Sequence, residues 1–412
     1  MLEVSRRMAV AGGLAATLLG GTRLAAQTPN SAGPPPPISA EERRSRLSRA
    51  QARLRALGYG ALLVEPGASL DYFTGVQWRR SERLTAAVIP ASGEPIVVTP
   101  FFERPSVAES LKVPAEIRVW QEHEDPFRLV ADFLRERRVA GAPVALEESV
   151  RFFAADGLRQ HLPAVRLVSG NPVVRPLRMV KSPAEMALMQ HAANITAEAL
   201  RQTSAQVQAG MSNEAIGAAF ERNVAALGGA SPWSLVLIDA AAALPHGTGR
   251  PQQVRRGSVV LMDCGCAVGG YQADISRTFV WGADPTPEQR RVWEQVRRGQ
   301  DVAMSAARIG ATAGSVDDAV RRTYERWGYG PGYRLPGLSH RTGHGIGMEG
   351  HEPVNLVRGE TTRLAPGMCF SNEPGLYLPG RFGVRLEDCF HMTAAGPEWF
   401  TRPPPSIDQP FG

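Results

Sequence analysis

The sequence predicts a small α/β domain followed by a larger α+β domain. Two helix starts of the same kind divide the chain: Ser39 with Glu42 three residues on, and Ser182-Pro183 with Glu185. Between them, short apolar runs alternate with helical stretches; beyond the second, strands and helices fall into separate runs. A chain of 412 residues, 43% hydrophobic and 21% charged, has material for about two domains whose cores need no disulfide staples.

The first segment reads as a targeting signal. Ser5-Arg6-Arg7 gives a twin-arginine start, Met8 to Gly21 is mostly apolar, and Leu24-Ala25-Ala26 offers small residues for cleavage before Gln27. The apolar run falls short of the roughly 20 residues a membrane span needs. An uncleaved amphipathic extension is the alternative. Cleavage after residue 26 would remove three arginines and one glutamate and reduce the net charge from +6 to +4. The expected location is therefore outside the inner membrane, periplasmic by the twin-arginine route, with no membrane span left after cleavage. The small net charge, with arginine spread along the chain, excludes a dedicated nucleic-acid binder.

A linker, residues 27–38, follows, with Pro34-Pro35-Pro36-Pro37 favouring extended backbone. The α/β domain is expected over residues 39–176. Its first helix runs from the Ser39 cap, with Glu42 as capping-box partner, to Leu57, where Gly58 ends it. Strand-like runs follow at Ala61–Val64, Ala86–Ile89, Ile96–Val98, Ile117–Trp120 and Val144–Leu146, with a helix over Pro126–Arg138. The second domain is expected over residues 177–400, with a tail from 401 to 412. It opens with a long helix to about Val207 and another after Ser212. Strands are expected at Trp233–Ile238, Ser258–Met262 and Gln272–Val280. Helices over Thr286–Ile309 and Ser315–Trp327 come next, then strands at Met368–Phe370 and Val384–Met392.

Chemistry-bearing residues gather at three places in this second domain. In the first, Asp263 and Asp274 flank the Gly269-Gly270 reversal, and an antiparallel hairpin can turn both carboxylates to one face. Two buried carboxylates need protons or cations, although the same residues also read as turn aspartates at strand ends. Cys264 and Cys266 alternate with Asp263 and would point to the opposite face as packing residues. Whether Cys369 and Cys389 pair is undecided by the sequence. The second place is His340-Arg341-Thr342-Gly343-His344-Gly345-Ile346-Gly347-Met348-Glu349-Gly350-His351-Glu352-Pro353, where three of eight histidines fall in one glycine-rich stretch. A surface loop with incidental histidines is the alternative. The third is Glu373-Pro374-Gly375 followed by Arg385-Leu386-Glu387. Strand alternation places Arg385 and Glu387 on one face, where Arg385 could orient Glu387 or another bridging carboxylate, or form a plain surface ion pair with it.

Together these strings, D-x10-D, HGxGxxxHEP, EPG and RxED, occur in that order over about 125 residues. The set resembles the pita-bread metallopeptidases, in particular the aminopeptidase P and prolidase branch. Lys181-Ser182-Pro183-Ala184-Glu185 and the preceding α/β domain resemble that branch too. The resemblance implies a creatinase/aminopeptidase-like fold holding two divalent metal ions. Asp263 would chelate one ion, His344 and Glu373 the other, and Asp274 and Glu387 would bridge them. An oxygen-rich, thiolate-free set suits manganese, with cobalt, iron or zinc as substitutes. A water between two metals ~3.5–4 Å apart would lose a proton and attack the scissile carbonyl. Glu373 would carry protons, His351 would hold the carbonyl oxygen and His246 would be a second substrate-side histidine, all by resemblance. The implied substrates are peptides cleaved at Xaa-Pro bonds from the N-terminus, and the implied assembly is a homodimer or larger. Gly350 departs from the pattern, which usually has Ile or Val before the second histidine. Other chemistries on this scaffold stay open: a metal-dependent lyase of a small sulfonium propionate, and a non-catalytic binding module. Creatine hydrolysis, which uses this fold without the metals, is disfavoured by the retained carboxylates.

Overall fold

The computed structural model describes residues 33–411. The targeting segment, its twin arginines and its cleavage point lie outside the described residues, as does the first half of the linker. Within the linker's described end, Ile38 is already 8% exposed and packs into the core, so ordered structure begins one residue before the helix cap.

In the first domain, α1 (Ala40–Leu57) leads to β1 (Ala61–Val64), α2 (Ala68–Thr74), β2 (Ala86–Pro90) and β3 (Ile96–Pro100). Then come α3 (Arg104–Ser110), β4 (Glu116–Trp120), α4 (Pro126–Glu136), β5 (Val144–Leu146), α5 (Phe152–His161), β6 (Leu167–Ser169) and α6 (Asn171–Arg178). The strands form one six-stranded sheet, ordered β4-β3-β2-β1-β5-β6. Period-two alternation gives it two buried faces. Ala61 and Leu63 pack with Phe127 and Phe133, whereas Leu62 and Val64 pack with Leu47 and Leu54 of α1. The five predicted strands are present; β6, a three-residue edge strand, is the one the apolar pattern did not disclose.

Ser39 caps α1 by accepting from the Glu42 N–H, but the reciprocal half of the expected capping box is missing. The Glu42 carboxylate turns instead to Arg46 (2.8 Å) and to the Ser182 hydroxyl (2.7 Å). Arg46 is wholly buried, and a buried guanidinium claims the nearest carboxylates. At Ser182 the full capping box forms.

The second domain has two halves built alike. Helices α7 (Pro183–Gln206) and α8 (Asn213–Ala226) precede β7 (Ala230–Ile238), β8 (Val259–Val268), β9 (Tyr271–Gln272) and β10 (Ile275–Val280). Helices α9 (Pro287–Ala306) and α10 (Ala313–Arg326) precede β11 (Gly343–Gly345), β12 (Glu352–Leu356), β13 (Cys369–Asn372), β14 (Gly375–Leu378), β15 (Phe382–Arg385), β16 (Asp388–Thr393) and β17 (Gly396–Trp399). The sheets run β10-β8-β7, with β9 on β8, and β12-β11-β13-β16-β17, with β14 and β15 as a separate ribbon. Matching bridges, Ser212 with Gln253 and Thr312 with Arg363, tie down the same turn in each half. This is the mixed α/β, pita-bread architecture expected.

Two expected strands are divided. The run Gln272–Val280 is interrupted at Ala273-Asp274, and Val384–Met392 breaks at Leu386-Glu387, so that β15 and β16 join different sheets. Both breaks fall on site carboxylates. The core from α1 continues through Leu188, Ala192 and Leu200 of α7 to Met262 and Cys264 of β8, so the two domains share one apolar interior. The last residues are no loose tail: Ile407 is 5% exposed and Phe411 packs edge-on against Phe279.

Candidate metal centre

Gly269 and Gly270 both have positive φ, 56° and 86°, the conformation a two-residue hairpin reversal requires. The resulting register pairs Asp263 with Ser276 and Cys264 with Ile275. Asp263, Ser276 and Asp274 therefore share one face, as the spacing predicts. Cys264 and Cys266 point to the other face, into the core. All four cysteines are free; Cys389 Sγ faces the Asp274 carbonyl and Cys369 Sγ faces Met186.

His344 lies on β11 between two glycines that have no room for a side chain. A Cβ on Gly343 would meet the Ser371 carbonyl at 2.1 Å, and one on Gly345 the Glu352 carbonyl at 2.6 Å. Strands β12 and β13 can therefore close on the histidine from both sides. The Ser371 hydroxyl accepts from the His344 backbone N–H, and His344 Nδ1 sits 3.0 Å from the Gly345 carbonyl, which places its proton there. Nε2 then presents a lone pair, and it faces three carboxylates: Glu373 at 3.5 Å, Asp274 at 3.7 Å and Glu387 at 3.8 Å. Asp263, Asp274 and Glu387 form a second close group, with oxygens within 4.8 Å of one another.

Such crowding of acceptors is unfavourable by itself. Burial pushes the Asp274 and Glu387 carboxyls well above their ordinary range, and the neighbouring carboxylates push them further. Burial raises Glu373 to about 7, with Asp263 adding and Arg385 and Arg341 opposing. Burial first, then the neighbouring His351 and Arg341, hold His344 well below its ordinary value. Asp274 Oδ1 and Glu387 Oε1 are buried with no hydrogen-bond partner. Orphan oxygens, a neutral imidazole lone pair and four converging carboxylates are a donor set that divalent cations would fit, with enough ligands for two ions.

Arg385, 3% exposed, donates to Asp263 Oδ2 at 2.5 Å and, through Nε, to Ser276 Oγ at 3.0 Å. Its direct carboxylate partner is Asp263; of the partners the spacing allowed, Glu387 or another bridging carboxylate, it reaches Glu387 only through Ser276 (3.1 Å from Glu387 Oε2). The reason is the break after Arg385, which separates it from Glu387 and carries Glu387 onto an isolated bridge with Ser276. Arg385 also donates to Tyr377 Oη at 3.2 Å, and the Tyr377 hydroxyl lies 2.7 Å from His340 Nε2. His340 Nδ1 faces the Arg341 carbonyl at 2.7 Å, so every member of this chain is satisfied.

A cavity of about 920 Å³ opens onto the carboxylates. Among its lining residues are His246, His351, Arg385, Trp233 and Arg341. The His351 ring stands 4.2 Å from that of His344. Gly350 also lines the cavity, and a Cβ there would meet nothing within 4 Å. Sequence reasoning missed Ser276, Tyr377 and Arg341. Serine and tyrosine carry no signal above background, whereas Arg341 stood within the histidine-rich string and was passed over.

Residues 46–180 match the creatinase/prolidase N-terminal domain, and residues 187–394 match metallopeptidase family M24. The chain is 33% identical to a probable dipeptidase PepE of Mycobacterium tuberculosis over 366 residues, 87% of this chain and 94% of the relative. It is 31% identical to an Xaa-Pro dipeptidase of Lactobacillus helveticus over 340 residues, 81% of this chain and 90% of the relative. The crystal structure of dipeptidase PepE from Mycobacterium ulcerans superposes with a TM-score of 0.81 at 32% identity, covering 90% of this chain and 98% of that one. With five metal-type donors at one cavity and a family match over half its length, the chain belongs to metallopeptidase family M24, preceded by a creatinase/prolidase-type domain.

Proposed function

We propose that the protein is a dinuclear metallopeptidase that hydrolyses Xaa-Pro bonds, with Xaa-Pro dipeptides as its preferred substrates. The observation that carries this is the ring of carboxylates facing the unprotonated nitrogen of His344 at one end of a substrate-sized cavity. Asp263, Asp274, His344, Glu373 and Glu387 would hold two divalent ions, with manganese the best match to the oxygen-rich set. When bound, the pair supplies Lewis-acid activation of water and of the scissile carbonyl.

The chain's own residues supply the rest. Glu373 stands at the cavity edge, 12% exposed, and is the carboxylate placed to move a proton from the attacking water to the leaving imino nitrogen. His351 and His246, on the cavity wall, are placed to donate to the carbonyl oxygen as it gains charge. Arg385, held by Tyr377 and the Pro245 carbonyl, aims the Asp263 carboxylate.

Arg341 favours the dipeptide. Its guanidinium is partly exposed on the cavity wall, and its contacts are a 3.1 Å bond to Asn355 and a 3.9 Å approach to Glu373. A dipeptide carries a free carboxylate one residue beyond the scissile bond, and an under-used arginine beside the centre is its match. A panel of Ala-Pro, Ala-Pro-Gly and Ala-Ala with manganese-loaded protein tests the reading. Fastest turnover of Ala-Pro supports it; turnover of Ala-Ala at the same rate refutes the proline preference.

Export by the twin-arginine route belongs to the same proposal, and so does assembly as a homodimer or larger, to be read by sedimentation. No helix among the described residues is long and apolar enough to cross a membrane.

A further inference from the structure

The loop that carries His351 is curled around a buried carboxylate. Glu352, next in sequence, is 4% exposed and accepts from the backbone N–H groups of Met348 (2.9 Å) and Glu349 (3.2 Å). Two cations outside the loop hold the same group: Arg178 at 2.5 Å on Oε1 and Lys181 at 3.0 Å on Oε2. Both are themselves buried, at 8% and 6% exposure. Neither belongs to the metallopeptidase sheets. Arg178 ends α6 of the first domain and also donates to Ser69 of α2 at 3.0 Å; Lys181 lies in the connector just before the Ser182 cap. The Lys181 backbone N–H is fixed to the Gly367 carbonyl at 2.8 Å. A carboxylate held by two backbone donors and two buried cations has one orientation, and the peptide between residues 351 and 352 has little freedom left.

We propose that Lys181 and Arg178 are positioning residues for His351: by fixing the Glu352 carboxylate they set the loop 347–352 and thereby aim the His351 imidazole into the cavity. The inference rests on the peptidase reading for the role of His351, but the geometric link does not. The connector between the domains on this account positions a cavity histidine, although neither Arg178 nor Lys181 lines the cavity.

The test uses the full-length, manganese-loaded protein with three substitutions. Lys181→Met removes one cation, Lys181→Arg keeps it, and Gly347→Ala places a Cβ 2.8 Å from the Glu352 carboxylate without changing any charge. Expected for Lys181→Met and Gly347→Ala is a fall in kcat on Ala-Pro of about 10- to 100-fold, with KM and bound manganese near wild type; Lys181→Arg recovers most of the loss. A crystal structure of Lys181→Met gives a readout free of activity: the 4.2 Å ring separation of His344 and His351 changes. The proposal is overturned if kcat per folded molecule stays at wild type in both variants, if manganese is lost in step with activity, or if the ring separation is kept. Absence of Ala-Pro turnover in the wild type would strike the substrate reading alone, and the crystallographic arm would still decide the positioning claim.

Discussion

His344 shows how one residue can be read from sequence and yet need the fold to be understood. Its glycine neighbours were legible as a sign of close approach; the direction of its lone pair was not, because that depends on a carbonyl, Gly345, accepting at Nδ1. The same holds for Glu373, which meets Asp263 and Asp274 from about 100 residues earlier in the chain. Two substitutions separate the proposed roles. Glu373→Ala should lose bound metal together with activity, measured by mass spectrometry of the metal and by turnover. His351→Ala should keep its metal and lose turnover by ~10²–10⁴-fold. Full metal and full turnover in Glu373→Ala would contradict the assignment. Arg341→Ala should raise KM for Ala-Pro by about 10- to 100-fold, the worth of a charge-assisted bond to a carboxylate, while leaving Ala-Pro-amide unaffected. Equal effects on the acid and the amide would remove Arg341 from substrate binding.

At the scale of the element, local chemistry was legible and long-range chemistry was not. The Ser182 cap, the Gly269-Gly270 reversal and the apolar strands of the first domain follow from residues within a few positions of one another. The breaks at Asp274 and at Glu387 do not, because both interruptions serve contacts made across the fold. The missing half of the Ser39 capping box has the same origin: Glu42 is drawn away by Arg46, which propensity cannot foresee. The loop carrying His351 also has a pH signature. Burial alone would raise the Glu352 carboxyl, but Lys181 and Arg178 outweigh burial and lower it from 4.5 to about 2. A carboxylate depressed in the folded state contributes stability that is fully present above about 4.5 and is lost as pH falls towards about 2, worth about 3 kcal/mol. The stability gap between wild type and Glu352→Gln, followed by urea unfolding, should therefore be constant near neutrality and shrink below pH about 4.5. A gap unchanged down to pH ~3 would show that the ion cluster does not stabilise the fold.

For the whole molecule, composition and order of motifs gave the two-domain plan, but not the shared core through α1, α7 and β8. Apolar residues on a helix show that a face is buried without showing against what. The likeness of the two halves of the second domain was equally hidden, since it lies in helix pairs and turns with little common sequence. The twin arginines make a cellular prediction: replacing Arg6-Arg7 by Lys-Lys should hold the protein in the cytoplasm, seen by fractionation, and unaltered export would exclude the twin-arginine route.

The central claim is that five side chains, distant in sequence, cage a pair of divalent cations. Diffraction from crystals of the manganese-loaded protein, recorded at the manganese absorption edge, tests it directly. Two anomalous peaks among Asp263, Asp274, His344, Glu373 and Glu387 are the result the account requires. No peak within that ring, or manganese bound only elsewhere on the molecule, would contradict it.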